Sequence, residues 1–516
     1  MWNRRAPIAA TALIAALLAG PLPGQEDGGA PLSAIEWLER QAAGAVPLRP
    51  DPAEPPVANT ADVPEVSVRP LETGPMADAV GLLPPSVTGF PQTLWQESRA
   101  AELARRVAAQ RVEGQPAMQA LLYSLLLAEA LPPADAGREA RLLQARLDKL
   151  AELGAVEPAE ALIARAGPET PALFARWFDL SLLLGDTSEA CTAMRADMHL
   201  SERLGPRVFC LARAGNWAEA AMVLDTARAI GAIEEPVGDL LARFLDPEAA
   251  SGPELAPSRD PTALEFRLRE AIGAPLPTSA LPLRFAVTAL GGDAGWRAEI
   301  EAAERLARHG AISENRLLGI YTQRAPAASG GVWDRVAAVQ RLDAALARGD
   351  AGAPGRALVE VWPLMRAAGL EVPLARLFGA ELAALGLDGK AGEIAFEAAL
   401  LSPDYERLAR ELPAETPQAR FLAALAAGTP GRAEAPDARA EAIAEGFAAA
   451  PPPELARMIE ADRLGEAILR GMELYASGRA GDLPDLAAAL ATFRTVGLED
   501  TARRAGIEAM LLGRGR

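Results

Sequence analysis

The two histidines, His199 and His309, are the side chains of this chain best suited to acid–base catalysis or metal binding, and they lie far apart. A Ser-His-Asp or Cys-His arrangement would need one of them near a nucleophile, yet no G-x-S-x-G motif occurs. A transition-metal site needs His, Cys and carboxylate ligands at close spacing. We therefore predict neither a catalytic nor a metal site, and we interpret both histidines as surface or helix-end residues.

The segment GLDGKAG, residues 386–392, has glycines and a lysine in the manner of a phosphate-binding loop. Such a loop needs a further glycine five positions before Gly389 and a Ser or Thr after Lys390. Ala384 and Ala391 occupy those positions. We interpret the segment as a turn between helices and predict no small-molecule cofactor.

The formal net charge is −18, from 69 acidic and 51 basic residues. No basic stripe occurs, so we expect no binding to nucleic acid or anionic lipid through counterion release. Partners should be neutral or basic. The basic residues are nearly all arginine, with lysine only at Lys149 and Lys390, a bias that we attribute to the base composition of a bacterial gene.

Residues 1–24 predict export. Arg4 and Arg5 precede an apolar run that ends in small residues and prolines, which is the order of a signal peptide. The run is short for a membrane span of about twenty residues, although an uncleaved anchor is the alternative. We predict a periplasmic protein whose signal peptide is removed and which has no membrane span afterwards.

Cys191 and Cys210 are the only cysteines. They occur in EACTAM and RVFCLAR, which we predict to be neighbouring helices separated by a break at Gly205. In an oxidising compartment such a pair favours a disulfide. The alternative is two small, buried, reduced thiols.

Alanine and leucine dominate the composition and β-branched runs are rare, which favours helices over strands. From about residue 92, amphipathic segments alternate with short glycine-containing breaks, as antiparallel helix pairs require. The predicted helices include 93–112, 116–130, 136–153, 170–184, 217–229, 234–245, 297–309, 333–347, 355–368, 373–385, 484–496 and 498–511. Five tryptophans on their apolar faces should fill the core: Trp177, Trp217, Trp296, Trp333 and Trp362.

Glycines recur at a regular interval in one part of the chain. Gly185 opens GDTSEACTAM and Gly215 opens GNWAEAAMVL, and each is followed by a Glu-Ala pair at the same offset. The segment LARAGNWAEA (211–220) resembles tetratricopeptide-type repeats, in which two helices meet at a glycine followed by an acidic or amide residue and an aromatic residue. The resemblance covers residues 150–230. It implies a solenoid with a concave surface that binds proteins or peptides.

The predicted fold is therefore all-α: a right-handed α-solenoid of antiparallel helix pairs that follows a signal peptide and an extended, proline-rich, largely disordered tether. Independent helical domains are the alternative, since loose stretches rich in proline and glycine interrupt the helices. The predicted segments are the signal peptide 1–24, the tether 25–91 with a short helix at 33–42, and three helical blocks at 92–246, 263–412 and 438–516.

The tether contains two segments that we predict to bind a partner. The first is the short helix in PLSAIEWLERQ (31–41), which begins with a Ser-x-x-Glu capping box. The second is EVSVRPL (65–71), whose alternation is typical of a strand with one buried face. Docking on another protein, reversible docking on the chain's own solenoid and permanent packing are all open. The partner-binding side chains would be Ile35, Trp37, Leu38, Val66 and Val68.

One enzyme class shares a short motif with this chain. Glu97-Ser98 resembles the catalytic Glu-Ser pair of soluble lytic transglycosylases, which attach a helical superhelix to a glycan-cleaving domain, but their downstream Gly-Leu-Met-Gln-type motif is missing. We therefore expect a non-enzymatic scaffold or adaptor for protein or peptide partners in the bacterial envelope. The alternative is an accessory scaffold for a peptidoglycan hydrolase or glycan-cleaving enzyme.

Overall fold

A computed structural model describes residues 76–246, 248, 256, 258–327, 330–349 and 352–512. The described residues belong to one compact unit, Leu71–Arg516, and the division into three helical blocks stays a prediction. The signal peptide and the whole predicted partner-binding set lie outside the described residues: Ile35, Trp37, Leu38, Val66 and Val68.

The described part of the chain is all-helical, as predicted, with short 3-10 turns, no strand and one isolated backbone bridge between Leu83 and Ala128. The α-helices are α1 (Pro85–Thr88), α2 (Ala100–Ala109), α3 (Pro116–Leu127), α4 (Arg141–Glu152), α5 (Val156–Ala166), α6 (Pro171–Leu184), α7 (Ser188–Ala196), α8 (Leu204–Arg213), α9 (Trp217–Ala229), α10 (Glu235–Leu245), α11 (Ala263–Ala271), α12 (Trp296–Arg308), α13 (Glu314–Thr322), α14 (Val332–Arg348), α15 (Ala353–Ala367), α16 (Glu371–Ala384), α17 (Gly389–Leu401), α18 (Tyr405–Glu411), α19 (Pro417–Ala426), α20 (Ala438–Ala448), α21 (Pro453–Glu460), α22 (Leu464–Ala480), α23 (Leu483–Thr495) and α24 (Glu499–Leu511).

Most of the twelve helices whose bounds the sequence predicts begin and end within about two residues of those bounds, because local caps set helix ends. Helix α6 begins after Thr170, whose side chain accepts a hydrogen bond from the Leu173 N–H, and ends at Gly185 in the left-handed conformation. Helix α2 is shorter than the predicted 93–112. It begins at Ala100, whose N–H donates to the Asp135 side chain at 2.7 Å, and the residues before it form turns. A distant side chain therefore fixes this start.

The last helices of the unit pack against the first ones. Helix α22 contacts α2, and α24 contacts α3. The Gly465 N–H donates to the Leu94 carbonyl at 3.0 Å, and a Cβ at Gly465 would lie 2.3 Å from the Trp95 ring. In a solenoid that is open at both ends, each helix pair contacts only its neighbours. These contacts show instead that the row of helices closes on itself.

A group of charged side chains supports this closure. The Arg106 guanidinium on α2 lies 2.8 Å from Glu102 on its own helix, 3.6 Å from Glu466 and 3.2 Å from Glu473 on α22. Glu466 is almost completely buried and also pairs with Arg463. Because Arg106 is itself mostly buried, water screens these pairs less than it screens exposed ion pairs.

The predicted disulfide between Cys191 and Cys210 is confirmed. It joins α7 to α8, and its two Cα atoms lie 5.3 Å apart. Both residues are buried. The covalent link therefore fixes the helix pair that precedes α9.

Removing the disulfide should weaken the fold. The cysteines are 19 positions apart, and closing a loop of this size stabilises a protein by about 3 kcal/mol in the chain-entropy model. We expect Cys191→Ala to lower the free energy of unfolding by about that amount, measured by urea denaturation under circular dichroism. The wild-type protein in reductant should match the variant, and equal stability of the reduced and oxidised wild type would contradict this expectation.

Candidate functional site

The first candidates for chemistry are the two histidines and Lys390. His309 follows α12, and its ring Nδ1 lies 2.9 Å from the Arg305 carbonyl oxygen, which fits the predicted helix end. His199 is exposed in a 3-10 turn. Lys390 lies in the first turn of α17 and pairs with Glu393. Among the described residues, no group of three or more His, Cys, Asp and Glu side chains is placed to hold a metal ion.

A cavity of about 600 Å³ lies where the first and last helices meet. Its wall includes α3, the turn between α12 and α13, the start of α16 and the end of α24. Two hydrogen bonds position the wall. The Gln119 amide donates to the Arg308 carbonyl at 3.0 Å, and the Tyr123 hydroxyl donates to the His309 carbonyl at 3.0 Å. They hold α3 against the end of α12, and the left-handed Gly310 then turns the chain toward α13.

The cavity lining combines both signs of charge. Its three cations are Arg308, Arg376 and Arg479, and its three anions are Glu113, Glu314 and Glu371. In the part of the chain that the structure describes, none of these arginines forms a salt bridge, although many arginines elsewhere do. The remaining wall is largely apolar, with side chains such as Tyr123, Ile312 and Val372.

A buried carboxyl group lies behind this wall. Glu508 accepts a hydrogen bond from the Ala117 N–H at 2.8 Å, in the first turn of α3. Burial raises the pKa of Glu508 to about 7, although this hydrogen bond and the nearby Arg376 and Arg479 favour the charged form. Near neutral pH, Glu508 therefore exists in both its charged and its neutral form.

A second feature is the outer face of α9. Met222 on this face is 67% exposed, and Ile230, which follows the helix, is 70% exposed. Trp217 is 50% exposed, but it lies about 140° around the helix from Met222, on the side where it contacts Phe244 of α10. The opposite face buries Ala220, Leu224 and Ala227. Because α9 packs chiefly against α8 and α10, no described helix covers its outer face.

The prediction that Trp217 fills the core is wrong. Trp177, Trp296 and Trp362 are buried, and Trp333 packs against Trp296 with ring centroids 5.1 Å apart. Trp217 instead lies beside Phe244 with much of its ring in solvent. Its apolar position indicated burial, but α10 covers only part of the ring.

The charges on α9 are predominantly acidic. Glu219 and Asp225 are exposed. Arg228 is paired with both Glu235 and Asp239, at 2.8 and 2.9 Å. An approaching partner therefore meets apolar side chains bordered by uncompensated carboxylates.

No protein-family model, curated protein or solved structure matches the chain. No helix in the described part of the chain combines the length and apolar character that a membrane span requires.

The raised pKa of Glu508 predicts a pH-dependent stability. An unfolded glutamic acid loses its proton near pH 4.5, whereas folded Glu508 loses it near 7. The stability that the neutral carboxyl group of Glu508 contributes is therefore fully present below about pH 4.5, and it is lost as the pH rises through 7.

The variant Glu508→Gln tests this dependence, because glutamine keeps an acceptor for the Ala117 N–H and cannot ionise. We expect the variant to be more stable than the wild type at pH 8, by on the order of 3 kcal/mol, with the difference shrinking toward pH 5. Urea denaturation at several pH values measures this difference, and a constant difference would contradict the prediction.

Proposed function

We propose that this protein is a non-enzymatic helical scaffold that binds another protein through the outer face of α9. The observation that carries the proposal is the exposure of Met222 and Ile230 on and just after a helix whose other face is packed. Exposed methionine side chains are typical of protein-binding surfaces. Trp217 adds a half-exposed ring on the side of α9 next to α10. The tetratricopeptide-like repeats that the sequence predicts over residues 150–230 include α9, and such repeats typically bind proteins or peptides.

The surface favours a partner segment that is apolar in its centre and basic at its edges. Apolar side chains of the partner would cover Met222 and Ile230, because these two are the most exposed apolar residues of the α9 region. Lysine or arginine on the partner would meet Glu219 and Asp225, whose charges no described arginine neutralises. The formal charge of −18 would speed the approach of such a partner.

We also propose that the protein resides in the periplasm. The disulfide supports this location because disulfides persist mainly in oxidising compartments. The signal peptide that the sequence predicts would deliver the chain there.

Site-specific photo-crosslinking in cells tests the docking surface. A photoreactive phenylalanine analogue replaces Met222 in one variant and Val87 in the control, because Val87 is equally exposed, at 66%, on α1. We expect a crosslink to one distinct protein from position 222 and not from position 87. Crosslinks only to a second copy of this chain, or equal crosslinking at both positions, would contradict the proposal.

The crosslinked protein must then bind in purified form. We expect Met222→Glu to weaken its affinity at least about tenfold in calorimetry, because binding would bury an unpaired carboxylate. Val87→Glu should bind like the wild type. A purified partner that binds Met222→Glu as tightly as the wild type would show that α9 is not the docking surface.

A further inference from the structure

The cavity between the first and last helices has a lining whose charges balance. Three arginines and three glutamates line it, so the wall as a whole attracts neither a simple anion nor a simple cation. The whole chain carries −18, and its long-range field opposes the entry of an anion. A ligand with no net charge avoids that repulsion and can still use both kinds of side chain.

Arg376 is the side chain most available to a ligand. It lies in the middle of α16 and is exposed, and no hydrogen bond or salt bridge to it is found among the described residues. Guanidinium groups bind carboxylates through two parallel hydrogen bonds. Arg376 lies near the buried Glu508, but no described carboxylate is within salt-bridge distance of it, so its hydrogen-bond donors remain open to a ligand carboxylate.

Arg479 already donates some of its hydrogen bonds within the fold. Its guanidinium donates to the carbonyls of Ala509 and Leu512, each at 3.1 Å, and so satisfies the end of α24. Its charge still contributes to the electrostatic potential of the cavity, because hydrogen bonds to neutral carbonyls do not cancel it. It supports an anionic group beside Arg376 without being the main contact.

Glu314 supplies the opposite charge. It is the first residue of α13, where it is half-buried, and Glu113 lies at the exposed edge of the same cavity. Carboxylates accept hydrogen bonds from an ammonium group. The apolar side chains of Tyr123, Ile312 and Val372 lie on the same wall, where they would contact aliphatic parts of a ligand.

We propose that this cavity binds a small zwitterion of the amino-acid or short-peptide class, with its carboxylate at Arg376 and its ammonium group at Glu314 and Glu113. A volume of about 600 Å³ is in the range of small-molecule sites. The proposal does not depend on the docking surface of α9, because the two features share no residue. Failure of one therefore leaves the other intact.

Calorimetry with trialanine and trileucine tests the site at pH 7.5. The N-acetylated tripeptides lack the ammonium group, and the C-terminal amides lack the carboxylate. We expect each blocked form of the binding tripeptide to bind at least about tenfold more weakly than the free form. Succinate, which carries only carboxylates, should also bind more weakly.

Two variants assign the contacts. Arg376→Ala should weaken the free tripeptide at least about tenfold and should abolish the preference for a free carboxylate. Glu314→Gln should reduce the preference for a free ammonium group. Arg138→Ala is the control, because Arg138 is exposed and does not line the cavity. The melting temperature of each variant shows whether it is folded.

Three results would overturn the proposal. The first is that neither tripeptide binds the wild-type chain at concentrations up to about 5 mM. The second is that blocking either terminus leaves the affinity unchanged, which would indicate binding by the apolar wall alone. The third is that succinate binds as tightly as the tripeptides, which would make the cavity an anion site.

Discussion

The burial of one carboxyl group against one backbone amide is the constraint on which the closed arrangement of helices depends. The first N–H groups of any helix lack partners within that helix, and the Ala117 N–H of α3 faces α24. Glu508 on α24 accepts a hydrogen bond from the Ala117 N–H there. A buried carboxyl group is unfavourable when charged, and the raised pKa of Glu508 expresses this cost. Without such an acceptor, the start of α3 would be buried and unsatisfied.

Arginine side chains satisfy buried backbone carbonyl groups in this fold. This role gives the strong bias against lysine a physical meaning beyond base composition. Arg146 is almost fully buried, and its guanidinium donates to the carbonyls of Leu126, Val80 and Ala128 at 2.7 to 3.0 Å. Burial lowers its pKa only to about 10, so it stays charged at neutral pH. A planar guanidinium with five donors can satisfy several carbonyls at once. These hydrogen bonds tie residues 76–84 to α4, in addition to the packing of Ala77, Val80 and Leu82 against the core.

Sequence reasoning succeeded where the determinants are local and failed where they are distant. Thr170 and Gly185 mark the ends of α6 because capping involves residues a few positions apart. The closure is different. Gly465 accommodates Trp95, but nothing near either residue indicates the other. Similarly, an apolar position at Trp217 predicts a contact face, while only the arrangement of neighbouring helices decides whether that face is covered. The cavity arises from the same distant contacts, so its residues could not be grouped from the sequence.

The two candidate sites also differ in the support that surrounds them. The cavity is walled by helices from both ends of the unit, so closure itself holds its side chains in place. Helix α9 has contacts chiefly with α8 and α10, which leaves its outer face open but gives it fewer neighbours to keep it rigid. A binding face that must be ordered during association loses affinity to conformational entropy. The Cys191–Cys210 disulfide lies in the adjoining helices and fixes α8 covalently to α7. It therefore supplies rigidity beside a helix whose outer face has no described neighbour.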